Sequence, residues 1–263
     1  MSPSAAAEAR ARAREDVVRR IVGAGRRQLA EVGAAGLSLR AVARELGMAS
    51  SAVYRYFPSR DDLLTRLIID GYDDLGEAAE QADDPAAPPV QRWLGICRAV
   101  RRWALAHPHE YALLYGSPVP GYRAPRDTVP PATRVGAALG RVLGDAARSG
   151  RLPAAVRVGV ALGRVLGDAA RAGLLPPASG RPTGTITPDV APLLGGEHPA
   201  LDDAVRARAL LAWSSVFGTI SFELFGHLTG ASADPDAFFD DAMRDLAGLV
   251  GLPGAAPAAG RPA

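Results

Sequence analysis

Lysine is absent from this chain: all 30 of its basic residues are arginine. Together with 29 glycines and 22 prolines, this is the composition a GC-rich genome produces, and by itself it points to no function. A single cysteine, Cys97, excludes an internal disulfide and fits a reducing, cytoplasmic setting. No run approaches the roughly 18 to 20 unbroken apolar residues that a membrane span needs. The basic start, MSPSAAAEARARARED, has no apolar segment behind it, so neither a membrane partner nor a secretory leader is expected. The four histidines (His107, His109, His198, His227) lack metal-ligand spacing, and Pro108 interrupts the nearest approach, His107-x-His109-Glu110. P-loop, G-x-G-x-x-G and G-x-S-x-G patterns are all missing. An enzyme, a resident metal and an organic cofactor are therefore not expected.

What is present is a chain of 263 residues, 48% hydrophobic and 22% charged, which is enough to build a substantial core. Its charge is unevenly placed. Residues 1–69 carry twelve arginines against seven acids, whereas the remainder carries eighteen against twenty-one. A basic first quarter on a mildly acidic body points to a polyanionic partner for the N-terminus alone, although a solvated charged face explains an excess of this size equally well.

Strand signals are nearly absent and helical periodicity dominates. Over Glu15–Gly33, Val18, Ile21, Val22, Gly25, Leu29 and Val32 share one helical face. Ser38 can cap a short helix carrying Leu39, Val42, Ala43 and Leu46, which Gly47 ends. Another short helix begins near Ser50 or Ser51 and stops at Pro58. Ser59-Arg60-Asp61-Asp62 then reads as a capping box opening a helix of roughly twenty residues, which ends before the proline-rich linker Asp83–Pro89. Further helices are expected over Val90–Ala106, His109–Tyr115, Pro199–Leu228 and Pro235–Val250, with a loop over Ser117–Pro131. Arg134–Pro153 recurs as Arg157–Pro176 with seventeen of twenty positions identical. Two copies are too few for a solenoid, and they read as a tandem duplication of one helix and its turn.

The stretch that carries chemistry is LSLRAVARELGMASSAVYRYFPSRDDLL, Leu37 to Leu64. Two short helices around a glycine-containing turn make a helix-turn-helix whose second helix is sized for a major groove. Val53 and Phe57 face inward and fix that helix on the first. Ser50, Ser51, Tyr54, Arg55 and Tyr56 are left outward, the polar, aromatic and cationic set that base edges and phosphates require. A purely structural reading would instead make Tyr54 and Tyr56 half-buried packing residues.

This stretch resembles the TetR family of transcriptional regulators. The family's pattern opens its second helix with Thr or Ser, turns at A-x-x-x-G, closes on L-Y-x-H-F and places a basic residue before the fourth helix. Here those features appear as Ser38, Ala43–Gly47, Val53-Tyr54-Arg55-Tyr56-Phe57 and Arg60. The resemblance implies that Ser38 and Arg40 contact DNA backbone, that Ser50, Ser51, Tyr54 and Tyr56 line the DNA face, and that Arg60 holds a phosphate. Ala49 stands where a capping Ser is usual, which leaves Ser50 as the cap candidate, and Tyr56 replaces the common His. Weaker features of the body, including Trp213, Gly218 and FELFGHL (222–228), resemble the C-terminal class named for a Trp, a His and a Gly, with Phe217 at the expected His.

The fold expected is all-α. A disordered basic arm (1–14) precedes a three-helix DNA-binding domain (15–60), a helical-bundle ligand-binding and dimerisation domain (61–252) and a disordered tail (253–263). Trp93, Cys97, Trp103, Tyr111, Tyr115, Tyr122, Trp213 and Phe217 are bulky groups on several helices, expected to converge on a small-molecule effector, though each could equally be an ordinary core residue. The function expected is a homodimeric, ligand-responsive regulator of a near-palindromic operator in double-stranded DNA, with the resemblance favouring a repressor. The alternative is a helix-turn-helix protein without a ligand, its body serving only to dimerise.

Overall fold

A computed structural model of the chain describes residues 5–149, 203–252 and 254. Among these every regular element is helical. They are α1 (Ala5–Gly36), α2 (Leu39–Glu45), α3 (Ser50–Tyr54), α4 (Arg60–Gln81), α5 (Pro89–Ala106), α6 (Pro108–Tyr115), a 3-10 turn (Arg126–Thr128), α7 (Val129–Ala132), α8 (Arg134–Arg148), α9 (Asp203–Leu224) and α10 (Pro235–Leu249). The architecture is the all-α one expected, with an N-terminal helix-turn-helix and helices beyond it.

The chain divides into two compact units, and the division does not fall at residue 60. The first unit comprises residues 1–74 together with 107–131; the second comprises 75–106 and 132–263. In the first, Ile21, Ala24 and Leu29 of α1 meet Leu39, Val42 and Ala43 of α2, Val53 and Phe57, and Leu63, Leu64 and Leu67 of α4. The start of α4 is thus part of the helix-turn-helix core. α6 packs against α1, and Leu113, Val119 and Tyr122 lie on the margin of the same core. The sequence could not show this, because α6 is separated from α1 by more than seventy residues.

The expected arm is another difference. α1 begins at Ala5, so residues 5–14 are helical. Alanine, arginine and glutamate are all strong helix formers, and extending an existing helix avoids the cost of a new nucleus. At its other end α1 runs to Gly36, but Gly33 interrupts it with φ 69° and ψ 174°, a conformation that favours glycine. Val32, the residue before the break, is 55% exposed and does not join the buried face its spacing had assigned it.

In the second unit α5 is the central helix, packed against α8, α9 and α10. Trp93, Ile96 and Val100 of α5 are buried with Val135, Leu139, Val142 and Leu143 of α8, Val216 and Ile220 of α9, and Phe239 and Met243 of α10. The first copy of the duplicated segment is therefore α8, with its whole apolar stripe in the core. The second copy (157–176), the proline-rich segment 176–192 and most of the expected tail lie outside the described residues.

Candidate nucleic-acid interface

The local chemistry of residues 37–62 explains why the interface takes its shape. Ser38 caps α2: its Oγ accepts from the Ala41 N–H, while its own N–H donates to Oε1 of the buried Gln28 of α1 at 3.1 Å. α2 ends in a Schellman motif, with Met48 N–H donating to Ala43 O (2.9 Å) and Gly47 N–H to Arg44 O (3.2 Å). Gly47 sits at φ 64°, where a side chain would be strained. This turn sets the direction of α3.

α3 is held from beneath by Val53, which is fully buried, and Phe57. Ala49 occupies its N-cap position without a side-chain bond and Ser50 is already helical, so the cap does not move to Ser50. Ser50, Ser51, Tyr54 and Arg55 are exposed, Tyr54 at 42%. Ala49 and Arg40 are exposed as well. Tyr56 is half-buried against the core, and the Arg14 guanidinium lies over its ring, 5.2 Å from the centroid. Arg14 belongs to the segment expected as an arm; only knowledge that α1 continues to Ala5 places it beside α3.

The α3–α4 turn is the capping box read from the sequence. Ser59 N–H donates to Asp62 Oδ2 (2.8 Å), and Asp62 N–H donates back to Ser59 Oγ (3.1 Å). Arg60, expected on a phosphate, is tied back to α1 in the free chain. Its guanidinium donates to Ala34 O at 2.7 Å and Ala35 O at 3.3 Å, satisfying carbonyls at the C-terminal end of α1.

The eight residues expected to converge on a ligand separate into two groups. Tyr111, Tyr115 and Tyr122 belong to the first unit, where Tyr111 and Tyr115 stack at 5.0 Å and Tyr72, which sequence reasoning missed, meets Tyr115 edge-on at 5.9 Å. Burial pushes the Tyr72 and Tyr115 phenols above their ordinary values. Tyr122 Oη and Thr65 Oγ1 share a hydrogen bond of 2.9 Å. Trp93, Cys97 and Trp103 lie on α5, and Trp213 and Phe217 on α9, within the second unit. Trp213 meets Phe217 at a tilt, their ring centroids 5.2 Å apart. Trp93 is buried, with its Nε1–H donated to Met243 O at 3.1 Å, a core assignment. Burial pushes the Cys97 thiol far up, so it is a neutral packing group.

Among the described residues no His/Cys/Asp/Glu group could hold a metal ion, and no helix is long and apolar enough to cross a membrane. Comparison with known proteins agrees with the helix-turn-helix geometry. Residues 21–67 match the model for bacterial regulatory proteins of the tetR family, and residues 93–246 match the tetracyclin repressor-like C-terminal domain. The HTH-type transcriptional regulators Rv1816 of Mycobacterium tuberculosis and Mb1846 of Mycobacterium bovis are each 41% identical over 256 residues, covering 90% of this chain and 94% of theirs. The chain belongs to the TetR family. The crystal structure of the regulatory protein SCO4313 is similar at a TM-score of 0.62 and 33% identity, over 90% of this chain and 98% of that one. A Rhodococcus protein of unknown function shares the fold at a TM-score of 0.60 and 23% identity, over 89% of this chain and 94% of that one. The tetR-family match over residues 21–67 spans α2 and α3, so both lie in the family's DNA-binding domain.

Proposed function

We propose that this TetR-family chain is a ligand-responsive repressor that binds a near-palindromic operator as a homodimer. The observation that carries the reading is α3: Val53 and Phe57 hold its inner side, while Ser50, Ser51, Tyr54 and Arg55 stand in solvent with hydroxyls, a phenol and a guanidinium outward. Such groups suit base edges and phosphates. Arg40 and the capped start of α2 add a backbone contact. Ala49 opens the interface without a side-chain donor, and Tyr56 contributes through its ring. Arg60 acts indirectly, by fixing α1 against the start of α4.

Two such helices reading one site need a dimer that sets half-sites about one helical turn, roughly 34–36 Å, apart. α9 and α10 are suited to this. Leu211 (54%), Phe222 (56%) and Phe238 (45%) are large apolar groups left in solvent, and a Cβ at Gly218 would meet nothing within 4 Å. Helices apolar on two faces bury the second against a partner, here a second copy across a two-fold axis.

For the effector we favour the aromatic groups of the second unit: Trp103 on α5, which also carries Cys97, and the adjacent Trp213 and Phe217 on α9. Trp213 and Gly218, with Phe217 in place of a His, keep the body nearest the Trp-His-Gly class. A small hydrophobic ligand that binds the free and DNA-bound states with different affinity, a coupling of about 1–3 kcal/mol, releases the operator. The test is selection of DNA from a random pool by the purified protein, followed by titration of the recovered duplex with and without hydrophobic small molecules that raise the melting temperature. A two-fold symmetric site lost on Tyr54→Ala and released by such a molecule is expected. Recovery of no preferred sequence would refute the reading. A site that none of the stabilising molecules releases would favour a regulator without a ligand.

A further inference from the structure

Residues 8–16 of α1 are exposed on every side, so this helical extension is not held by a core. From this extension the Arg14 guanidinium reaches over the Tyr56 ring, 5.2 Å from its centroid, immediately after α3. Helical periodicity then orders the arginines. Val17 and Val18 pack on the core and Ile21 is fully buried. Arg14 and Arg10 continue that stripe outward at spacings of three and four, about 40° apart around the axis, while Arg12 lies about 200° from both. The side of α1 that faces the core thus becomes cationic where the core ends, and it does so beside α3.

We propose that Arg10 and Arg14 form a second DNA contact, a phosphate-binding face that continues the α3 interface along the operator backbone, with Arg14 also positioning Tyr56. This rests on the DNA-binding reading above. A cation over an aromatic ring is held in a defined place while its outward N–H groups remain able to meet a phosphate. Continuity with the exposed Tyr54 and Arg55, and the absence of any acid between residues 9 and 14, favour a polyanion over another protein surface as the occupant.

Fluorescence anisotropy measures the affinity and its salt dependence for Arg10→Ala, Arg12→Ala, Arg14→Ala and Arg14→Lys, with Tyr54→Ala as the control. The probes are a labelled random-sequence duplex of about three helical turns and the duplex recovered by selection. Each lost phosphate contact lowers the slope of log K against log salt by about 0.9. That decrease is expected for Arg10→Ala and Arg14→Ala on both duplexes, with Arg12→Ala unchanged and Arg14→Lys restoring the slope. Circular dichroism confirms that each variant is folded. Equal decreases for all three alanine variants would overturn the proposal in favour of bulk charge. So would no decrease in any of them while Tyr54→Ala still weakens the selected duplex, and the DNA-binding reading would then survive. If Tyr54→Ala and all the arginine variants bind as the parent does, that reading falls as well.

Discussion

Arg60 separates a phosphate contact from a structural one, and its removal distinguishes the two by measurement. In Arg60→Ala the carbonyls of Ala34 and Ala35 lose a cationic donor, one at 2.7 Å and one at a long 3.3 Å. A hydrogen bond to a charged group contributes about 1.5–3 kcal/mol when protected from water. The side chain is 31% exposed, so part of that is screened, and Nε is buried without a partner, a cost the substitution removes. The net loss expected is about 1–2 kcal/mol, read as a lower urea midpoint at unchanged slope. The salt dependence of DNA binding should stay that of the parent, because no phosphate contact is lost. A salt slope lower by about one with an unchanged urea midpoint would refute this reasoning and return Arg60 to the phosphate.

Three other outcomes follow from the second unit. Arg92 and Asp83 are 7% and 8% exposed and paired through two bonds of 2.6 and 3.0 Å; Arg92→Ala strands a buried carboxylate and should cost about 3–5 kcal/mol in urea unfolding. Phe222→Asp, at a position 56% exposed, should leave a folded chain that sediments as a monomer, with the parent expected to sediment as the proposed dimer. Acid should weaken the fold. Hydrogen bonds from Arg134 and Arg98 hold the Glu80 and Asp240 carboxyls below their ordinary values, while at Asp145 desolvation pushes up but the bonds from Arg92 and Arg148 prevail. Carboxyls depressed in the folded state contribute stability that is present above their unfolded pKa and lost as pH falls through the folded one, so the urea midpoint should drop below about pH 4. A midpoint flat from neutrality to about pH 3 would contradict this.

The helix-turn-helix was legible because its local determinants lie within 28 consecutive residues: the Ser38 cap, the Gly47 turn, the inward Val53 and Phe57, and the reciprocal Ser59–Asp62 bonds. Each is a local rule in which residue type and spacing decide the backbone. What stayed unread needed distance. That Arg60 reaches back to Ala34, that α6 packs on α1, and that the three tyrosines separate from the tryptophans are tertiary facts with no local signature. The missed α1 extension is different. Its alanine and arginine content was a readable helix signal, masked by the habit of treating a basic terminus as an arm.

The exclusive use of arginine, which composition alone left without a role, acquires a physical consequence in the second unit. Along α5, Arg98 meets Asp240 through two bonds of 2.6 and 2.7 Å, and Arg101 meets Glu223 through two of the same lengths. Arg101 also bonds Asp236 at 2.6 Å and lies over the Phe239 ring at 5.0 Å. Asp236 is 88% exposed and contributes little, but Arg101 and Glu223 are 12% and 17% exposed, where paired charges are weakly screened. Two parallel bonds need a planar fork, which lysine lacks. Arg101→Lys keeps the charge yet retains at most one of the Glu223 bonds and loses the guanidinium placed over the Phe239 ring. Glu223 sits on α9 beside the exposed Phe222, so loosening it should disturb the face proposed for the dimer. Arg101→Lys is expected to lose about 1–2 kcal/mol in urea unfolding and to dissociate at higher protein concentration than the parent in sedimentation. A lysine variant as stable and as dimeric as the parent would show that charge alone suffices there, and that the fork geometry contributes nothing to holding α9 in place.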